Sequence, residues 1–95
     1  MAFRQVVVPS LRADVVGARG FGVSRSLFAR ATKEGKVRLN GVLAEPKSPV
    51  QPGDVLSVDG IGRLVVHEVL GETKKGSYRL ELEVIRLPHG YGGIP

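Results

Sequence analysis

The chain has 95 residues, no cysteine and a formal net charge of +5. A chain of this length is expected to form one domain, and the lack of cysteine excludes disulfides and thiolate metal sites. A basic balance favours a polyanionic partner, with nucleic acid first and an acidic membrane surface second.

The N-terminal residues predict an extended segment followed by a short helix. Residues 6–8 are all valine, which favours β structure, and Pro9 disfavours helix at the residue before it. This apolar run is too short for a membrane span or a signal peptide, so we expect a cytosolic protein. Ser10 is the expected N-cap of a helix over about residues 11–19, and three glycines predict a turn at 20–23.

The second predicted helix has clearer signals at both ends. Ser24 is the expected N-cap, and Gly35 is the expected stop. At about 100° per residue, Leu27, Phe28 and Ala31 share one side of the helix. The opposite side carries Arg25, Ser26, Ala29, Arg30 and Lys33. We therefore expect one side to face a core and the other to be a basic surface.

From residue 36 onwards the pattern changes to the period of two that is typical of strands. Asn40-Gly41 suits a type I′ turn, so residues 37–39 and 42–43 are predicted to form a tight hairpin. Further strands are predicted at residues 55–58, 63–70 and 78–87, with a polar loop at 71–77. Two helices followed by five strands make an α+β domain, and residues 88–95 are expected to be a flexible tail.

The basic side chains are concentrated in the first part of the chain. Residues 1–40 hold eight basic and two acidic side chains, whereas residues 41–95 hold six basic and seven acidic ones. The N-terminus of the second helix offers free N–H groups and a positive dipole end, which together bind phosphate. Ser24, Arg25 and Ser26 lie at that end, and the basic surface continues along the helix through Arg30 and Lys33. The alternative is a capped amphipathic helix whose polar side is merely solvated.

Two further groups are weaker candidates. Lys36, Arg38 and Asn40 share one side of the first predicted strand and would continue the basic surface, although turn geometry explains Asn40 more simply. Arg12 and Asp14 lie within one helical turn, where they could make a structural contact. We interpret Asp14 as mainly structural and Arg12 as mixed.

No catalytic arrangement is visible in the sequence. His67 lies in a predicted strand and His89 in the predicted tail, which does not favour a metal site. The loop at 71–77 lacks the lysine position and the following helix of a phosphate-binding loop. We therefore expect a protein that is not an enzyme and that needs no cofactor and no metal.

Four short stretches together resemble the S-four RNA-binding domain, the family named for small-subunit ribosomal protein four. They are LRAD at residues 11–14, SRS at 24–26, GKVRLNG at 35–41 and PGDV at 52–55. The resemblance covers about residues 11–59, and Ala13 stands where the family usually has leucine. The part from Gly60 to Gly76 is similar to the C-terminal module of bacterial YlmH-like proteins, also labelled photosystem II S-four domain proteins.

This resemblance implies an α-L arrangement, with two N-terminal helices packed on a small, mainly antiparallel sheet. It implies a single domain over residues 1–87, with the core motif at 11–59 and an additional hairpin at 63–87. RNA would be held by the second helix and the adjoining hairpin, through Arg12, Ser24, Arg25, Ser26, Arg30, Lys33, Lys36, Arg38 and Asn40. Apart from the resemblance, Lys47, Lys74 and Lys75 are secondary candidates, since a flexible basic loop such as 71–77 can touch the nucleic-acid backbone.

The expected function is recognition of structured RNA, either ribosomal RNA or tRNA on the ribosome, in ribosome-associated translation or quality control. The expected partners are this RNA and the ribosome, with no membrane and no small-molecule substrate, and the chain is expected to be a monomer. Two alternatives stay open. One is a protein-interaction module whose β half docks onto a partner. The other is an RNA-targeting appendage of an RNA-modifying enzyme.

Overall fold

The computed structural model describes residues 2–87, which form a six-stranded antiparallel sheet with two helices packed on one face. The elements are β1 (Ala2–Val8), α1 (Ala13–Phe21), α2 (Arg25–Lys33), β2 (Val37–Leu39), β3 (Val42–Leu43), β4 (Val55–Val58), β5 (Gly62–Glu72) and β6 (Tyr78–Arg86). The strand order is β1-β6-β5-β4-β2-β3, and every neighbouring pair is antiparallel. The predicted α+β class and the two helices on an antiparallel sheet are confirmed, whereas the tail predicted at 88–95 lies outside the described residues.

The predicted order of two helices followed by five strands is wrong at its start, because the N-terminal segment is itself a strand. β1 pairs with β6 along its whole length, from Ala2 opposite Val84 to Val8 opposite Tyr78. The valine run revealed the preference for β structure, but its partner lies near the other end of the chain. The sequence pattern therefore could not show that this segment joins the sheet.

The predicted hairpin and the strand at 55–58 are confirmed. Asn40 and Gly41 have φ angles of 53° and 85°, as a type I′ turn requires, and Leu39 lies opposite Val42. β5 is longer than predicted, because two irregularities in its register let it continue pairing with β6 as far as Glu72. The loop that joins these two strands is correspondingly shorter, at residues 73–77.

The N-terminal end of α1 lies two residues later than predicted, and Ser10 is not its N-cap. The N-cap is Arg12, whose side chain makes no capping hydrogen bond. The carbonyl groups of Ser48 and Pro46 instead accept from the first two N–H groups of the helix, at 2.8 and 2.9 Å. A loop from another part of the chain thus satisfies donors that a helix leaves unpaired at its start.

The C-terminal end of α1 is held by two arginines from the sheet. Arg4 in β1 donates to the carbonyl of Gly20 at 2.8 Å, and Arg86 in β6 donates to the carbonyl of Phe21 at 3.0 Å. Cations are favourable at this end of a helix because they complement its dipole. The helix continues through Phe21 and ends at Gly22, which has a left-handed φ of 73°. The turn therefore starts two residues later than the predicted range of 20–23.

Two glycines inside α1 allow its neighbours to approach closely. A Cβ atom on Gly17 would lie 2.2 Å from the ring of Phe28, and one on Gly20 would lie 2.0 Å from a methyl group of Leu64. Phe28 and Leu64 are both buried, at 1% and 0% exposure, so neither can easily move aside. These glycines belong to the packed interior and do not mark the end of the helix.

The core lies between the two helices and the inner face of the sheet. The predicted alternation along β6 is confirmed, because Leu80, Leu82 and Val84 are buried between more exposed neighbours. The opposite, outer face is not covered by either helix, and it exposes Phe3 and Val7 of β1. Neither helix within residues 2–87 is long and apolar enough to cross a bilayer.

Candidate nucleic-acid interface

Helix α2 begins as predicted, and Phe28 and Ala31 of its predicted apolar side do face the core. The Oγ of Ser24 accepts a hydrogen bond from the N–H of Leu27 at 3.1 Å, so the predicted N-cap is confirmed. Phe28 and Thr32 are the buried residues of this helix, whereas the side chain of Leu27 is 52% exposed. The expectation that Leu27 faces the core is wrong, because α2 packs on α1 through Phe28, whose ring lies against Gly17, and Leu27 lies at the edge of that contact.

Three polar residues of α2 form one exposed line along the helix. Ser26, Arg30 and Lys33 are all exposed, and their spacing of four and three residues places them on the same side. At 100° per residue this side is opposite to the buried Phe28 and Thr32. We call Ser26, Arg30 and Lys33 the α2 stripe, and it keeps part of the basic surface that the sequence predicted.

Arg25 lies away from this stripe, because it is drawn towards α1 by a buried carboxylate. Asp14 is only 3% exposed, and its carboxylate accepts hydrogen bonds from Nε and Nη2 of Arg12 at 3.1 and 3.2 Å and from Nε of Arg25 at 3.2 Å. The predicted contact between Arg12 and Asp14 is confirmed. The prediction that Arg25 shares a side with Arg30 is wrong. We call Asp14 with its two arginines the Asp14 cluster.

The Asp14 cluster ties α2 to α1 and retains one excess positive charge. The side chains of Arg12 and Arg25 are 42% and 56% exposed, so each also presents part of its guanidinium to solvent. A buried carboxylate that holds two arginines fixes their orientation before any ligand arrives. The arrangement can therefore present two oriented cations to an anion at the start of α2.

Replacing Asp14→Asn is expected to lower the free energy of unfolding by about 1–2 kcal/mol, because three charge-assisted hydrogen bonds are lost or weakened. The loss stays moderate because both arginines keep access to water. Urea unfolding followed by circular dichroism measures it. Asp59→Asn, on an exposed residue, is the control and should leave the midpoint unchanged. Equal stability of the two variants would mean that the cluster does not hold the helices together.

The hairpin residues contribute less to an open basic surface than predicted. Nζ of Lys36 lies 3.2 Å from a carboxylate oxygen of Glu34. The side chain of Asn40 donates to Asp54 at 3.0 Å and accepts from the N–H of Val55 at 2.9 Å, so it is committed to holding the turn against β4. Arg38 is exposed in the middle of β2.

A cleft of about 530 Å³ opens beside the C-terminal half of α2. We call it the basic cleft, and its lining residues are Arg12, Thr32, Lys33, Ala44, Glu45, Pro46 and Lys47. It brings together cations that the sequence placed in three separate segments. Lys47, predicted as a secondary contact, thus lies beside two of the main candidates. Lys74 and Lys75 are exposed in the loop between β5 and β6.

Arg19 is a candidate that the sequence analysis did not select. Every residue of α1 is buried except Arg19, which lines a shallow groove with Arg25. The signal was present in the sequence, because a lone arginine in an otherwise apolar and small-residue helix is expected to point to solvent. The groove adds a cation next to the Asp14 cluster.

The segment that carries these features matches a known protein family. Residues 11–56 match the family model of the S4 domain. The chain is also similar to the ribosome-associated protein quality control protein P2 of Bacillus subtilis (strain 168), with 37% identity over 81 residues. That alignment covers 84% of this chain and 32% of the relative, so the chain spans about a third of the relative's length. The matched segment contains α1, α2 and the loop of the basic cleft.

Proposed function

We propose that this chain is an RNA-binding module that holds structured RNA, either ribosomal RNA or tRNA on the ribosome, because residues 11–56 match the S4 domain model. The observation that carries the proposal is the exposed line of Ser26, Arg30 and Lys33 on a helix that is anchored through the Asp14 cluster. Phosphate contacts position a protein on RNA, and arginine can grip a phosphate with two hydrogen bonds.

The surface fits the backbone of folded RNA better than the edges of its bases. The α2 stripe follows one side of a short helix, which suits a row of phosphates. An A-form helix hides its bases in a deep, narrow groove and is recognised mainly by shape and by its sugar–phosphate backbone. We therefore assign shape recognition to the stripe.

The name of the relative from Bacillus subtilis links that protein to the ribosome and to protein quality control, and we extend this role to the present chain. In this proposal the module works in the cytoplasm as a monomer, and it binds RNA without catalysing a reaction. The more specific resemblance of the part from Gly60 to Gly76 to the YlmH-like proteins remains a prediction.

The affinity for a folded ribosomal RNA stem-loop is expected to fall steeply as the salt concentration rises. With four or five phosphates neutralised, a plot of log affinity against log salt should have a slope of roughly −3 to −4, because each contact releases condensed counterions. Fluorescence anisotropy across a KCl series measures this slope. A flat plot, or no binding at low salt, would refute the proposed phosphate contacts.

A second candidate function, protein interaction, is favoured by the apolar residues that the sheet exposes. Phe3 and Val7 of β1 are 61% and 44% exposed, and Val69 and Leu70 of β5 are 36% and 39% exposed. Scattered exposed apolar residues are common, but four of them on one sheet are consistent with a protein contact. A protein partner that stays bound to the chain in a pull-down after RNase treatment would favour this function over RNA binding.

A further inference from the structure

We propose that the basic cleft holds a single unpaired nucleotide of the bound RNA, with its phosphate at the cationic rim and its base inside. This inference rests on the proposed RNA binding and adds a second mode of recognition to it. The α2 stripe would contact paired regions by shape, whereas the cleft would select RNA in which one nucleotide is flipped out.

The size and floor of the cleft suit one base. Its volume of about 530 Å³ is large enough for one base, and its wide opening gives a nucleotide access from solvent. The floor contains Thr32 and Ala44, which are 4% and 7% exposed, and Pro46 is partly buried beside them. Because Thr32 and Ala44 are nearly fully buried, a base would make most of its van der Waals contacts with Pro46 and with the aliphatic stems of Lys33 and Lys47.

The rim of the cleft suits one phosphate group. Nε and Nη2 of Arg12 are held by Asp14, while its Nη1 makes no hydrogen bond to the residues that the structure describes. Lys33 and Lys47 are exposed at the same rim. Three cations, one of them already oriented, can therefore surround a phosphate of the backbone.

Glu45 distinguishes this cleft from a site for a polyphosphate. Its carboxylate lines the same cleft and would repel additional phosphate groups. A carboxylate accepts hydrogen bonds from the amino groups of guanine, adenine and cytosine and from the ring N–H of uracil, so it can contact the edge of any unpaired base. We assign Glu45 the role of contacting the base edge.

The cleft is largely formed before RNA binds. The Oγ of Ser48 accepts from the N–H of Glu45 at 2.9 Å, and the N–H of Ser48 donates to the carbonyl of Glu45 at 3.0 Å. The loop is further fixed because the carbonyls of Pro46 and Ser48 accept from the start of α1. A preformed loop loses little conformational freedom on binding, which favours affinity.

The test compares two RNA hairpins with the same stem, one of which carries a single bulged adenosine. The whole chain is expected to bind the bulged hairpin roughly tenfold more tightly in fluorescence anisotropy, the gain expected from one additional charge-assisted contact. Lys47→Glu should abolish this preference, because it replaces a rim cation with a carboxylate that repels the phosphate. Arg63→Glu, on the exposed outer face, is the matched charge control and should keep the preference.

The outcomes separate the cleft from the proposed function. Salt-dependent binding to both hairpins without a preference would overturn the cleft inference and leave RNA binding intact. A preference that persists in Lys47→Glu would also overturn it. Failure to bind either hairpin would refute RNA binding itself, and the cleft inference with it.

Discussion

Reversing the charges at Arg30 and Lys33 together is expected to weaken binding to structured RNA by roughly 100-fold at low salt. Both side chains are exposed on the α2 stripe, so the change replaces two phosphate contacts with two repulsive charges. The slope of log affinity against log salt should become shallower by about two, because each lost contact removes about one unit. Fluorescence anisotropy measures both quantities, and circular dichroism checks that the fold is retained.

The choice of residues and of the control follows from the structure. Arg25→Glu is unsuitable, because it would place a carboxylate beside the buried Asp14 and disturb the contact between the helices. Arg63→Glu combined with Arg79→Glu changes the net charge by the same amount on the exposed outer face. Equal weakening in both double variants would show that net charge, not the α2 stripe, governs binding.

Replacing Gly17→Val is expected to lower the free energy of unfolding by about 3 kcal/mol, at the upper end of the usual cost of overpacking. Even a single Cβ atom at this position would lie 2.2 Å from the ring of Phe28, which is 1% exposed. Valine adds two more methyl groups, so α1 and α2 must separate. For a domain of this size the melting temperature should fall by roughly 15 °C.

Thermal unfolding followed by circular dichroism tests this expectation. Gly71→Val is the control, because a Cβ atom at Gly71 meets nothing within 4 Å and the residue lies in a strand that accepts valine. If the Gly17→Val variant had the same melting temperature as the wild type, the helices would not pack through this glycine. RNA binding should weaken together with stability, since displacement of α2 moves its stripe and the α2 side of the basic cleft away from Arg12.

Features that depend on adjacent residues could be predicted from the sequence, whereas features that depend on distant segments could not. The turn at Asn40-Gly41 and the cap at Ser24 were correct because both are determined by residues within a few positions. The start of α1 was predicted wrongly because its first N–H groups are satisfied by carbonyls of a remote loop. No local pattern reveals such a partner.

The candidate interface shows the same division. Spacing alone predicted that Arg12 meets Asp14, but it could not show that Arg25 joins them from the next helix. Helical periodicity correctly placed Phe28 and Ala31 towards the core, but it also predicted a buried Leu27, which is exposed because α2 packs on α1 through Phe28. Lys47 reaches the cleft only because its loop folds back onto the start of α1.

The two arginines at the C-terminal end of α1 determine how short a fragment of this protein can be and still keep its fold. Arg4 and Arg86 come from strands that lie outside the S4 match at residues 11–56, and so do Leu64 and Leu82, which pack against the same helix. A fragment trimmed to the match would leave the last carbonyls of α1 without donors and its apolar surface in water. Gene fusions that transplant this module should therefore carry the flanking strands β1, β5 and β6 along with it.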